Sequence, residues 1–215
     1  MPRYATVLFD LDGTLLDSIG LIVESFHHTT ERHGLPRQTD AHWLAGIGTP
    51  LAAAFAPFAA GPAERDALIA TYRSYNLARH DARVRAYPGV VAAVRAVAAR
   101  GAALAVVTSK NRATARRGLE LVGLGDTFEI VVGGDDVTRP KPHREPVDRA
   151  LELLGRAADG SVLVGDSVHD VACAHAAGVA SAAVTWGPFS PAQLLPSRPH
   201  HLLHAPEELV ALVAG

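Results

Sequence analysis

Apolar residues fall in short runs along this chain. Residues 4–9, 102–107, 130–132, 162–164 and 182–185 are rich in Val, Ile, Leu, Ala and Phe, and each run is bounded by Gly, Asp or Ser. Runs this short, partly β-branched and without polar alternation, predict strands buried on both faces. Between them, residues 90–100, 113–122, 145–154 and 168–177 carry helical spacing. Gly101, Gly123, Gly155 and Gly178 follow these segments, as C-terminal caps should. Strand–helix alternation of this kind implies an α/β fold, a Rossmann-like parallel sheet covered on both faces.

The alternation stalls between residues 16 and 87. No convincing strand is expected there. Helices are predicted near 19–33, 40–45, 51–58 and 62–79, the first after a plausible N-cap pair, Asp17-Ser18, with a loop, Gly46-Ile-Gly-Thr-Pro50, among them. The expected organisation is therefore a core of residues 1–15 plus 88–215, with an inserted all-helical segment at 16–87. The tail is less regular. Residues 186–188 and 190–199 are loop-rich, and 206–213 read as a closing helix.

With 215 residues, 48% hydrophobic and 20% charged, the chain can bury a substantial core. A net charge of -2 without a basic stripe gives no reason to expect a nucleic-acid partner. The single Cys173 excludes an internal disulfide framework and a multi-cysteine zinc site, which fits a cytoplasmic protein. No apolar run reaches the length of a membrane span. The apolar stretch at the N-terminus is too short for a signal peptide and ends in acids. Only two lysines, Lys110 and Lys141, occur among 20 basic residues. Where arginine supplies nearly all the positive charge, a lysine can mark a place where a compact ammonium is wanted.

Candidate chemistry gathers at the strand ends. The first strand runs into Asp10-Leu-Asp12-Gly13-Thr14, two carboxylates followed by a turn-forming glycine. In parallel sheets, ligands bind beyond the carboxyl ends of the strands. Thr108-Ser109-Lys110 follows the second run; taken alone, the Thr-Ser pair equally suits a helix cap. Lys141 lies between Pro140 and Pro142, a rigid setting for a placed charge. Asp166 and Asp170 are four residues apart at a predicted helix start, which sets them on one face. Carboxylates brought this close repel unless a hard cation sits among them. Lys110 is expected nearer the rim of such a site than its centre.

These four segments, in this order, resemble the motifs of the haloacid dehalogenase-like hydrolase superfamily. The likeness spans nearly the whole chain, and the 16–87 insertion resembles the helical cap of one subfamily. The branch it most resembles contains phosphoglycolate phosphatases and pyrophosphatases. The resemblance implies an Mg²⁺-dependent phosphatase acting on a small phosphorylated metabolite, a phosphoglycolate-like ester or pyrophosphate, through an aspartyl-phosphate. It implies Asp10 as nucleophile and Asp12 as general acid–base. Magnesium would be held by Asp10, Asp166 and the main-chain oxygen of Asp12, with Asp170 in support. Thr108, Ser109 and Lys141 would bind the phosphoryl group, and Gly48 and Thr49 of the cap loop would influence specificity. A monomer or a homodimer is expected.

Alternatives remain at this point. A sugar phosphomutase of the same fold is one, although the cap loop has no arginine to hold a second phosphate. A phospho-acceptor signalling domain or a silent binding protein belongs to another class. Dehalogenases of the superfamily lack the second aspartate, so Asp12 favours phosphoryl transfer. The cap contains no lysine for Schiff-base chemistry. The 11 histidines, including the pairs His27-His28 and His200-His201, read as surface or packing residues. His80 and Arg83 are weaker candidates to face a substrate, and Trp43, Phe55 and Phe58 read as cap core.

Overall fold

The first apolar run condenses into a fully buried strand, β1 (Thr6–Phe9). A two-residue strand, β2 (Leu16–Asp17), leads into α1 (Ile19–Arg32), α2 (Asp40–Ala45), α3 (Leu51–Phe55) and α4 (Pro62–Arg83). The chain returns through β3 (Arg85–Ala86). It continues with α5 (Val90–Ala99), β4 (Ala103–Val107), α6 (Arg112–Leu121), β5 (Ile130–Val132), α7 (Glu145–Leu154), β6 (Ser161–Gly165), α8 (Val168–Ala177) and β7 (Ala180–Val184). The last elements are α9 (Pro191–Leu194), β8 (His201–Leu203) and α10 (Leu209–Val213). The structure is a computed structural model and describes residues 4–214; residues 1–3 and 215 of the expected core, and the start of the N-terminal stretch, lie outside the described residues.

Six strands form one parallel sheet in the order β5-β4-β1-β6-β7-β8. β1 is central, with Phe9 beside Val106 on one flank and Val164 on the other. Side chains alternate between faces, as the pleat requires. Val7, Phe9, Val106, Val162 and Val164 pack with residues of α5, α6 and α10. Leu8, Ala105, Val107 and Leu163 pack with residues of α7 and α8. The chain leaves β1 on one side for β4 and on the other for β6, so their carboxyl ends meet at a switch point of the sheet.

The α/β sheet and its helices agree with the reading of the sequence, with local differences. Leu16 and Asp17 pair antiparallel with Ala86 and Arg85, so a small ribbon stands where no strand was expected. Two residues per strand are too few for any apolar period to register. The 51–58 helix divides at Phe55, and Ala56–Phe58 continues as a 3₁₀ turn with Pro57 inside it, because proline has no N–H to carry the α-helical ladder onward. α4 runs on to Arg83, past the expected end at 79, because His80 is fully buried beneath it against the Gly118 turn of α6. The closing helix of 206–213 begins as a 3₁₀ turn over Pro206–Glu208. β8 was not anticipated; it is a three-residue edge strand within a proline-rich stretch.

Within the insertion, an aromatic cluster organises the helices. Phe26 of α1 stacks on Trp43 of α2 with ring centroids 4.4 Å apart and planes within 3°. Phe55, Leu68 and Tyr72 complete the buried group, with Phe58 packed against it. Among the described residues no helix is long and apolar enough to cross a membrane.

Candidate active site

Asp10 leaves the end of β1, Thr108 the end of β4 and Asp166 the end of β6, so three separate strands deliver their polar residues to one edge. Lys141 arrives from the loop before α7. Its buried ammonium donates to Asp10 Oδ1 at 2.7 Å, Asp170 Oδ1 at 2.6 Å and the Val107 carbonyl at 3.2 Å. Lysine suits this place because one compact group with three donors meets three acceptors.

Asp170 is fully committed to the protein. Its second oxygen, Oδ2, accepts from the Ser167 hydroxyl at 2.6 Å and the Ser167 amide at 3.1 Å, the reciprocal capping box of α8. Ser167, the residue after Asp166, is the cap of α8. Asp166 Oδ1 accepts from the Thr14 hydroxyl at 3.0 Å, while its Oδ2 is buried with no hydrogen-bond partner. Thr14 is pinned in turn, its carbonyl accepting from the Trp186 indole at 2.9 Å.

Ligand atoms of Asp10, Asp166 and Asp170 lie within 4.8 Å of one another, all buried. Lys141 offsets only one of these three carboxylate charges. Burial pushes the Asp10 carboxyl up to about 7, despite Lys141 beside it, and Asp170 adds to the rise. Burial, then Asp10 and Asp170, likewise hold Asp166 well above the usual carboxylate range. Burial opposes the Lys141 charge, but Asp10 and Asp170 together raise its affinity for the proton. A buried acidic group with an unpartnered oxygen is a fitting place for a hard divalent cation, which would relieve the repulsion and satisfy Asp166 Oδ2.

Glycine is required beside it. Gly13 has a φ of +88°, and a Cβ there would collide with the Asp166 carboxylate. The turn thus brings Asp12 back toward the cleft. Asp12 Oδ1 accepts from Ser18 at 2.5 Å and from the Lys110 ammonium at 2.7 Å, leaving Oδ2 without a protein partner. Two expectations are corrected here. Lys110 is not at the rim but on Asp12, and Ser18 begins α1 without capping it because its hydroxyl is turned to Asp12.

Thr108 is also free to act. It accepts from the Lys110 amide at 3.2 Å, and its own hydroxyl proton is uncommitted. Asn111, not Thr108 or Ser109, caps α6. Ser109 donates to the Gly48 carbonyl at 2.6 Å, which ties the strand end to the loop of the helical insertion. That contact uses the hydroxyl proton that phosphate binding was expected to need.

A cleft of about 250 Å³ opens above Asp10, Asp12 and Thr108, roofed by Gly48 and Thr49 and walled by Tyr72, Arg73 and Asn76 of α4. The sequence reading did not single out this wall, and it quoted Thr14 and Ser18 only within the acidic motif and a helix cap, without their carboxylate partners. His80 and Arg83 do not line it. His80 lies 2.8 Å from Asp81, and Arg83 pairs with Glu24 at 3.0 Å. The histidine pairs serve packing: His27 contacts Asp40, His28 stacks on Tyr75, His200 bonds Ser181, and His201 contacts Tyr4.

A doubly wound sheet with buried carboxylates and a lysine at its switch point defines an α/β enzyme equipped for an anion beside a cation. Residues 7–184 match the family model for haloacid dehalogenase-like hydrolases. The chain belongs to this family and has pyrophosphatase and phosphatase homologues. The pyrophosphatase PpaX of Bacillus pumilus is 39% identical over 98% of this chain and 96% of its own. Among solved structures, a haloacid dehalogenase-like family protein from Streptococcus pneumoniae superposes with a TM-score of 0.83 at 26% identity, covering 97% of this chain and 98% of the other. A predicted phosphatase from Clostridium acetobutylicum gives 0.86 at 27% identity, covering 96% of each chain.

Proposed function

We propose that the protein is an Mg²⁺-dependent phosphatase for small phosphorylated metabolites, with pyrophosphate and phosphoglycolate-like esters the leading substrates. The observation that carries this reading is the second carboxylate. Asp12 stands two residues beyond Asp10, fastened by Ser18 and Lys110 through one oxygen with the other free toward the cleft. The PpaX homologues add weight to pyrophosphate.

Asp10 attacks the phosphorus through a carboxylate oxygen. The new O–P bond forms as the bond to the leaving oxygen breaks, and Asp12 gives that oxygen a proton. Asp12 then takes a proton from water, whose oxygen attacks the aspartyl-phosphate. The Asp10 carboxylate departs, and inorganic phosphate is released. Thr108 donates its hydroxyl proton to the transferring group, and Lys141 balances charge at Asp10. Asp10, Asp166 and the Asp12 main-chain oxygen would hold Mg²⁺, with Asp170 in support through its hold on Lys141. Bound there, the ion would neutralise phosphate charge during transfer.

Residues 16–87 form a lid in this reading, hinged near 15–18 and 85–89, which excludes bulk water and meets the leaving group through the Gly48–Thr49 loop. Every named group comes from one chain, so a monomer and a homodimer both carry a complete site. A cytoplasmic setting fits the lone buried thiol of Cys173. The test is turnover of a panel of phosphate compounds, with and without Mg²⁺. Phosphate release from pyrophosphate or phosphoglycolate that stops in chelator supports the reading; no release from any member overturns it.

A further inference from the structure

Asp12 marks where the leaving oxygen must sit, since it delivers the proton. Whatever stands beside Asp12 and across the cleft from Asp10 therefore faces the leaving group. Two cations do. Lys110 reaches Asp12 at 2.7 Å from the core, and Arg73 reaches the same cleft from α4.

The arginines of α4 show that Arg73 is unlike its neighbours. Arg65 bonds Asp66, Arg79 lies 3.7 Å over the Tyr75 ring, and Arg83 pairs with Glu24. Among the described residues, Arg73 is the one arginine of this helix with no side-chain partner, and it is the one that lines the cleft. The acids of the cleft do not answer it. Asp12 is taken by Lys110 and Ser18, and Asp135 accepts from the Arg112 amide at 2.8 Å. The two asparagines that line the cleft with it, Asn76 and Asn111, are both fixed. Asn76 donates to Ser25 at 3.1 Å, and Asn111 caps α6.

We infer that Arg73 and Lys110 form an anion subsite for the leaving group, so that the preferred substrate carries a second negative group close to the scissile bond. This inference rests on the phosphatase reading and narrows it. The shared chemistry is a compact anion, either a second phosphate or a carboxylate. Arg73 is exposed where it lines the cleft, so its unpaired guanidinium is available to such a group, and its fork suits either oxyanion. Esters of neutral alcohols leave Arg73 without a partner and gain nothing from it.

The experiment compares kcat/KM for pyrophosphate, phosphoglycolate and phenyl phosphate in wild type, Arg73→Met and Arg73→Lys. Removing one charge-assisted contact lowers the ratio of an anionic substrate to phenyl phosphate about ten-fold or more, and lysine restores part of it. Whether pyrophosphate or phosphoglycolate loses more identifies the second anion. Methylenebisphosphonate gives a readout without turnover: it should inhibit wild type more strongly than orthophosphate, and Arg73→Met should lose that advantage. Ratios within two-fold of wild type for both anionic substrates overturn the subsite while leaving a phosphatase in place. Absence of turnover of every phosphate by wild type removes the phosphatase reading and the subsite together.

Discussion

The Ser109 hydroxyl donates to the Gly48 carbonyl at 2.6 Å across 61 positions of sequence, and through it the helical insertion rests on the catalytic end of β4. Gly48 has a φ of +92°, and a Cβ there would lie 3.2 Å from the Ser167 hydroxyl, so this loop approaches the neck of α8 as closely as glycine allows. The contact is short and partly buried, which suits a latch that must also release.

Ser109→Ala should weaken that latch without emptying the core. Loss of one neutral hydrogen bond predicts a KM increase of about two- to ten-fold for a small ester, with little change in unfolding temperature. Gly48→Arg should be more selective. A Cβ there would crowd Ser167 from a left-handed backbone position and displace the loop that roofs the cleft, so preference among phosphate esters should shift more than the rate with a small aryl phosphate. Thr49→Ala provides a milder companion, since Thr49 donates to the Gly46 carbonyl at 2.6 Å and shapes the loop. Equal rate changes across all substrates for both variants would remove the loop from specificity.

Asp10→Asn should abolish turnover, by at least about a thousand-fold, and prevent covalent labelling by phosphate. Asp12→Asn should slow both half-reactions, yet keep metal binding, because the metal contact proposed there is through the main chain. Rapid-quench trapping of the phosphoenzyme distinguishes the two variants.

Burial raises Asp10 from an ordinary 3.8 to about 7, and this has a sign. The folded protein holds a proton that the unfolded chain releases, so the contribution to stability is present at low pH and is lost as pH rises through about 7. In chelator, Asp10→Asn should therefore gain stability relative to wild type as pH goes from 5 to 8. Mg²⁺ bound at the proposed site would compete with that proton, so a rise in the melting temperature of wild type with Mg²⁺ should grow over the same interval. Thermal unfolding at the two pH values, with and without Mg²⁺, checks both. A gap that narrows with pH contradicts the sign.

Thr14 and Trp186 predict an effect at a distance. Thr14→Val would leave Asp166 Oδ1 buried without its donor, costing roughly 1–3 kcal/mol and weakening affinity for Mg²⁺. Trp186→Phe removes only the donor to the Thr14 carbonyl and should give a smaller change in the same direction. Calorimetric titration with Mg²⁺ orders the two.

Cys173 should be inert while the protein is folded. Burial pushes its thiol up to about 12, and the sulfur rests 3.0 Å from the His143 carbonyl. Iodoacetamide at pH 8 should modify it only under unfolding conditions, as read by mass spectrometry.

Much of this arrangement is written locally. Buried parallel strands need unbroken apolar runs, so the strands around Phe9, Val106 and Val164 are visible as short blocks ending in polar residues. A parallel sheet then has only one edge at which those ends can meet. Asp10, Asp12, Thr108 and Asp166 could thus be assigned to one place before any distance was known, and the family resemblance added Lys141. The capping glycines Gly155 and Gly178 mark helix ends for an equally local reason, the left-handed conformation they adopt. Tertiary structure alone decided which partner each polar atom takes. Ser18 looked like a helix cap and Lys110 like a rim residue, yet both converge on one oxygen of Asp12. Arg73 is one of four similar arginines along α4, and only the tertiary arrangement sets it, unpaired, along the cleft. Local preference fixes backbone conformation residue by residue, whereas a side-chain hydrogen bond between residues dozens of positions apart depends on where two elements are packed, and no short stretch of sequence carries that information.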